Sequence, residues 1–411
     1  MKFQLTTLFL LITLVICAQD TSNSFVFTPE VMAGILAEAN EDFPERNPNI
    51  QAMFNFGWEQ DQTDAEWAKR LKRPRTGIGL GYATYGNNDS LGSAISLLPF
   101  IEFNAFKKER LRVQAGMGAS YFTKKFDRFS NPNNRGVSTN ITWSFRLFMY
   151  YKWLQTEKID WRVGAGYFHH SNGHTRLPNQ GLNSFLFSLS ADIKNKQTAP
   201  SPVSETSLTR SRYNYMAFRL GAGTQVLSEA FNQRTPVYNV SGEYGWVFNN
   251  TWKLGFGAFY RYYRSYYDYI SNNESLVQEG MEFESLKERP VWNASALGLF
   301  VKGEVLLNHI GLEVLIGANF HKPSYAIDWR INMGWENTPR EIPEGWFLGQ
   351  FNTKYEVKNI VNARLGMKYF LWSTATPRKD NLFVGLHINS NGGQADFTEL
   401  SIGYVHQFNF R

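Results

Sequence analysis

From residue 74 to its end the chain is written in period two. Short segments alternate apolar and polar side chains, with Gly, Asn, Pro and Asp between them. Successive side chains of a β-strand point to opposite faces, so such alternation gives each strand one apolar and one polar face. Residues 111–122 are the cleanest case: Leu111, Val113, Ala115, Met117, Ala119 and Tyr121 alternate with Arg112, Gln114, Gly116, Gly118, Ser120 and Phe122. About fourteen such segments follow one another. They lie near 74–86, 91–107, 110–126, 137–153, 158–171, 183–194, 214–228, 235–248, 251–268, 293–306, 309–321, 358–371, 382–390 and 396–410. The pattern predicts an all-β fold.

Composition decides which kind. A mean hydropathy of -0.36 resembles that of a soluble protein, and no apolar run reaches the length of about 18 residues that a membrane helix needs. A transmembrane β-barrel gives the same average, because polar lumen residues dilute the apolar lipid-facing ones. The 33 Phe, 20 Tyr, 12 Trp and 33 Gly fit a barrel with aromatic girdles better than a soluble α/β enzyme. The net charge of +6 suits anionic lipid headgroups; it is not concentrated in the basic stripe that nucleic acid requires. The expected fold is one antiparallel transmembrane β-barrel of about 14 strands, 12–16 with the uncertainty of boundaries, over 74–411.

Loop lengths give an independent check. Bacterial outer-membrane barrels have short periplasmic turns and long external loops. With 74–86 running outward, tight connections at Lys108-Glu109, Asn249-Asn250 and Leu307-Asn308 fall on the periplasmic side. The long ones at 127–136, 172–182, 271–292 and 322–357 fall outside. One connection breaks the rule: 195–213, rich in Ser, Thr and Pro, is long yet periplasmic, and reads as a flexible joint between two halves of the wall.

The first 18 residues carry Lys2, an apolar core from Leu8 to Ile16 and the small Ala18, and read as a secretory signal peptide. Cys17, the only cysteine, leaves with it. The competing lipoprotein reading of Cys17 meets Ile16 where a small residue is usual. A mature chain without cysteine has neither disulfides nor a thiolate nucleophile. Residues 19–73 are expected to form a partly helical periplasmic segment, with helices in PEVMAGILAEAN (after Thr28 as N-cap) and TDAEWAKRLKRP and a short strand in MFNFGWE. The run FYRYYRSYYDYI near 259–270 reads as an interfacial aromatic girdle rather than a base-stacking platform.

One hairpin, 161–193, carries chemistry. Trp161, Val163, Ala165, Tyr167, His169 and Ser171 share a face that is apolar until its last two members. On the returning strand Asn183, Phe185, Phe187, Leu189, Ala191 and Ile193 share the matching face. His169, Ser171 and Asn183 therefore meet at the outer end, on the side that faces lipid in a barrel, where a base, a nucleophile and an orienting group can act together. The bland alternative makes His169 a rim histidine and Ser171-Asn172-Gly173 the start of a turn. A metal site of His169, His170 and His174 is disfavoured, because the first two point to opposite faces and no carboxylate is near. No cofactor is implied.

The pattern His169-His170-Ser171-Asn172, then Pro178-Asn179-Gln180-Gly181, then Asn183, resembles the lipid A 3-O-deacylase family of outer-membrane barrels. The wider stretch 74–194, with GIGLGYATYGNNDSLGSAISLLPFIEF and GASYFTKKFD, is similar to the acyloxyacyl hydrolase-like homologues of the Bacteroidota. A weaker similarity reaches DNLFVGLHINSNGGQADFTELSIGYVHQF at the C-terminus. The resemblance implies a serine ester hydrolase of the bacterial outer membrane acting on lipid A of lipopolysaccharide. Ser171 is then the nucleophile, His169 the general base and Asn172 an oxyanion donor. Asn183 stands where the family usually has glutamate, so it can orient the imidazole but not stabilise its charge. Arg176, with Lys124, Lys125 and Arg128, can contact lipid A phosphates; the alternative is that these loop charges are simply solvated. The competing reading is a non-catalytic barrel, a channel or a lipid-binding protein.

Overall fold

The computed structural model describes residues 24–61, 63–105, 110–194, 208, 210–332, 342 and 354–410. The signal-peptide segment, the turn at Lys108-Glu109 and most of 195–213 lie outside the described residues. The chain forms two compact units, Met1–Asn172 with Pro178–Ser207, and Gly173–Leu177 with Leu208–Arg411.

Each unit is a closed antiparallel barrel of eight strands. The first runs β1 (Ser24–Leu36), β2 (Asn49–Glu59), β3 (Arg75–Thr84), β4 (Ser93–Asn104), β5 (Leu111–Phe122), β6 (Ile141–Gln155), β7 (Ile159–Ser171) and β8 (Leu182–Lys194). It closes by pairing β1 with β8, Val26 opposite Lys194 and Leu36 opposite Ser184. The second runs β9 (Arg212–Gln225), β10 (Thr235–Phe248), β11 (Trp252–Tyr263), β12 (Ser295–Leu307), β13 (Ile310–His321), β14 (Val361–Phe370), β15 (Asp380–Asn391) and β16 (Gln394–Phe408). It closes through β16 and β9, with Ile402 opposite Leu220.

The single barrel of about 14 strands expected from sequence is thus corrected to two barrels of eight. Alternation identifies strands but is identical in both walls, so it does not say where a sheet closes. The long 195–213 connection, odd within one barrel, falls between the eighth strand and the ninth. The partly helical segment 19–73 is corrected too. Its MFNFGWE strand lies in β2 and a helix spans Glu66–Arg70, but PEVMAGILAEAN lies largely in β1. Alternation is present there as well: Thr28, Glu30 and Met32 are buried, while Val31 and Ile35 face outward. Ala, Met, Leu and Glu favour a helix locally, and pairing on both edges, with β2 and with β8, overrides that preference. The boundary at 74 therefore falls inside the first barrel.

Both barrels are polar inside and apolar outside. Val31, Ile35, Phe185, Phe187 and Leu189 are exposed on the first, and Met216, Phe218, Leu220, Val301 and Ile316 on the second. An eight-stranded barrel is only wide enough for side chains to fill it, and here ion pairs do so. In the first, Arg162 lies 3.0 Å from Glu102 and 3.2 Å from Asp192, Arg75 2.9 Å from Asp192 and Arg146 2.6 Å from Glu30. In the second, Lys302 lies 2.5 Å from Glu243 and 3.1 Å from Glu313. Removing one partner of a buried pair leaves an uncompensated charge, so Arg162→Ala is expected to cost about 3–5 kcal/mol. A lower urea midpoint for the folded, heat-modifiable form measures that loss; an unchanged midpoint contradicts it.

The FYRYYRSYYDYI run is a girdle only in part: Tyr260 and Tyr262 stay half-exposed on the outward face of β11, and the later rings do not. Its Tyr263 ends β11, and Tyr266, Tyr269 and Ile270 lie on a helix, Arg264–Ser271, in the core of the second unit. A switch from period two to helical spacing at Arg264 turned these rings inward.

Candidate active site

The hairpin β7–β8 pairs His169 directly with Asn183. Sequence alone placed these two on one face, and the register brings them into contact. His169 Nδ1 lies 2.7 Å from Asn183 Oδ1. The Tyr167 hydroxyl, one strand repeat earlier on the same face, donates to the same oxygen. As that oxygen accepts both bonds, the imidazole proton sits on Nδ1, which leaves the Nε2 lone pair as the base.

Ser171, buried at the end of β7, is held by a residue outside the expected triad. The Asn179 side-chain amide donates to Ser171 Oγ at 2.9 Å, and its Oδ1 accepts the Asn172 backbone N–H at 2.8 Å. The Asn172 side chain donates to Ser138 Oγ at 3.0 Å. Ser138 belongs to the β5–β6 loop, which also braces the returning chain: Gln180 and Gly181 N–H donate to the Arg135 and Gly136 carbonyls at 3.2 and 2.9 Å. Within this loop the N–H groups of Ser130 and Phe129 hold the Asp127 carboxyl below its usual range and fix the turn.

Gly181 has φ +77°, and a Cβ there would stand 2.8 Å from His169 Cε1. The glycine lets the loop close over the imidazole edge. Gly181→Ala is therefore expected to displace the ring and reduce turnover about 10²-fold with the barrel intact. Ester hydrolysis beside gel mobility measures this, and unchanged turnover contradicts it.

His170 points the other way, into the lumen, between Ser144 Oγ at 2.9 Å and Tyr85 OH at 3.1 Å. It is a packing residue. Among the described residues no group of three or more His, Cys, Asp or Glu side chains is arranged to hold a metal. Arg176 lies on Gly173–Leu177, which is counted with the second unit. Lys124 and Arg128 are exposed on the β5–β6 loop. Of the residues brought together, Tyr167 had a legible signal, a hydroxyl at spacing two from His169. Asn179 stood only in the Pro178-Asn179-Gln180-Gly181 pattern of the resemblance, with no periodicity to give its role, because its reach depends on the conformation of the loop.

The lipid A 3-O-deacylase family model matches residues 50–192, and the model of the acyloxyacyl hydrolase C-terminal domain matches 211–331. The first barrel thus matches the lipid A 3-O-deacylase family. The first match runs from β2 into β8 and contains the hairpin as far as Asp192; the second covers much of the second barrel. Among solved structures, the outer membrane enzyme PagL is 17% identical over 40% of this chain and 97% of its own, with a TM-score of 0.28. CdiB from Acinetobacter baumannii is 7% identical over 95% of this chain and 61% of its own, at 0.16. OccK11 (OpdR) from Pseudomonas aeruginosa is 8% identical over 94% and 96%, at 0.20. No curated protein matches the chain. With polar interiors and apolar outer walls, the chain is an outer-membrane β-barrel protein.

Proposed function

We propose that the protein hydrolyses an acyl ester of lipid A in the outer leaflet. The observation that carries this reading is the His169–Asn183 pair on the lipid-facing wall, 2.7 Å apart, with Ser171 two residues along the same face. His169 Nε2 takes the Ser171 proton as Oγ attacks the ester carbonyl; the collapsing intermediate expels the sugar alkoxide, which His169 protonates. Water, activated by the same imidazole, then releases the fatty acid and restores Ser171. Asn179, whose amide donates to Ser171 Oγ, and Asn172, next to the serine in the chain, supply donors to the developing oxyanion. Lys124 and Arg128 offer cations to the lipid A phosphates; Arg176 has no part in this reading.

A substrate in the leaflet itself explains why a polar group sits on a lipid-facing wall. The channel alternative demands a conducting lumen, and both lumens are filled with buried ion pairs. The test is purified protein mixed with lipopolysaccharide in detergent. Release of a fatty acid, with lipid A losing the mass of one acyl chain, is expected. Unchanged lipid A together with ion conductance in planar bilayers would overturn the reading.

A further inference from the structure

The second barrel builds the same cross-strand arrangement at its other end, and changes its chemistry. Tyr404 and His406 lie on the outward face of β16, and His406 is directly opposite Asp380 of β15. His406 Nδ1 lies 2.8 Å from Asp380 Oδ1, the Tyr404 hydroxyl donates to that oxygen, and the hydroxyl is 3.4 Å from Nδ1. Tyr167, His169 and Asn183 meet in the same way, with the corresponding hydroxyl-to-imidazole distance also 3.4 Å.

Two differences decide what this second group can do. Two residues beyond the histidine stands Phe408, not a serine, and its ring stacks on the imidazole at 5.9 Å between centroids. The strand therefore offers no nucleophile beside His406. Across the strand stands a carboxylate rather than an amide, and it occupies the Nδ1 side of the ring, leaving Nε2 turned away from it.

The neighbouring loop adds cations at the same height. Gln407 N–H donates to the Lys379 carbonyl at 2.6 Å, and Arg378 N–H donates to the Gln407 side chain at 3.2 Å. These bonds lay Arg378 and Lys379 along the end of β16, beside His406, with both side chains exposed. The Arg378 guanidinium stands 5.3 Å from the Trp372 ring centre. Leu371, Trp372, Tyr404 and Phe410 are exposed around it, the composition of a membrane interface. This end also carries the tight connections at 249–251 and 308–309, which in such barrels face the periplasm. The leaflet at that height is glycerophospholipid, not lipid A. Asp380 is bonded by His406 and Tyr404, with Lys379 a weaker electrostatic neighbour, which leaves Arg378 and Lys379 with positive charge to offer an anion.

We propose that Arg378, Lys379 and His406 form a binding site for the phosphate of an anionic glycerophospholipid in the periplasmic leaflet, with Trp372 and Tyr404 at the depth of its glycerol. The site is independent of ester hydrolysis at Ser171.

The experiment is native mass spectrometry of the full-length protein released from detergent, titrated with phosphatidylglycerol, phosphatidylcholine and inorganic phosphate. Phosphatidylglycerol adducts are expected to exceed phosphatidylcholine adducts, whose headgroup is zwitterionic. Arg378→Ala and Lys379→Ala are each expected to lower phosphatidylglycerol binding about fivefold, and His406→Gln to lower it as well. All three should retain heat-modifiable mobility and lipid A hydrolysis. Equal binding of the two lipids, or variants that bind as wild type, would overturn the site. Displacement of the lipid by an equal concentration of inorganic phosphate would overturn its assignment to a lipid.

Discussion

Ser171→Ala is expected to leave lipid A with its full set of acyl chains. In a serine triad, loss of the nucleophile costs about 10⁶ in turnover, because no other group can form the acyl-enzyme. The variant should fold. Ser171 Oγ accepts a hydrogen bond from Asn179 at 2.9 Å, and a neutral hydrogen bond is worth only about 1 kcal/mol. The measurement is fatty-acid release by purified variant and wild type at equal amounts of heat-modifiable protein. His170→Ala is the internal control. His170 is adjacent in sequence but turned into the lumen against Ser144 and Tyr85, so this change is expected to lower stability while hydrolysis persists. A Ser171→Ala protein that hydrolyses at the wild-type rate would sink the enzyme reading and leave a non-catalytic barrel.

That control separates two neighbours whose opposite faces were already legible in the sequence. Period two alone put His169 with Ser171 and set His170 against them. The same rule identified strands such as β5 and β12 from their residues. Closure was not legible. Whether a strand pairs with the next or with one seven places back depends on long-range pairing, here Phe27 with Ile193 and Leu400 with Ala222, and no local pattern encodes it. The one local trace was the 195–213 connection, too long for its side of the membrane. β1 was misread for the opposite reason: its helix-forming composition is local, and the edges that claim it are not. At the site, the hairpin register made Asn183 predictable. Asn179 and Gly181 act through a loop whose path is fixed by the Arg135 and Gly136 carbonyls, contacts with no sequence periodicity.

Asn183→Asp is the variant in which a gain, not a loss, is expected. Asn183 Oδ1 accepts from His169 Nδ1 at 2.7 Å and from the Tyr167 hydroxyl, so the imidazole is already oriented. What the amide lacks is charge to stabilise the imidazolium formed as Ser171 attacks. In a serine protease triad, exchanging the carboxylate for its amide lowers turnover about 10⁴-fold, which bounds the gain available here. Aspartate is isosteric with asparagine and keeps the cross-strand distance. The second barrel demonstrates the fit: Asp380 meets His406 at 2.8 Å in the same register, with Tyr404 donating to the same oxygen. Glutamate, the usual residue of the family, is one methylene longer and must push against a ring that already touches the Gly181 turn, so Asn183→Glu is expected to gain less than Asn183→Asp. Tyr167 shares the accepting oxygen and draws off part of the added charge, which sets the expected rise in turnover at about 10²-fold, below the bound. Initial rates of fatty-acid release measure it, with Ser171→Ala/Asn183→Asp as the inactive control. A rate within twofold of wild type would show that residue 183 does not support the step that limits hydrolysis.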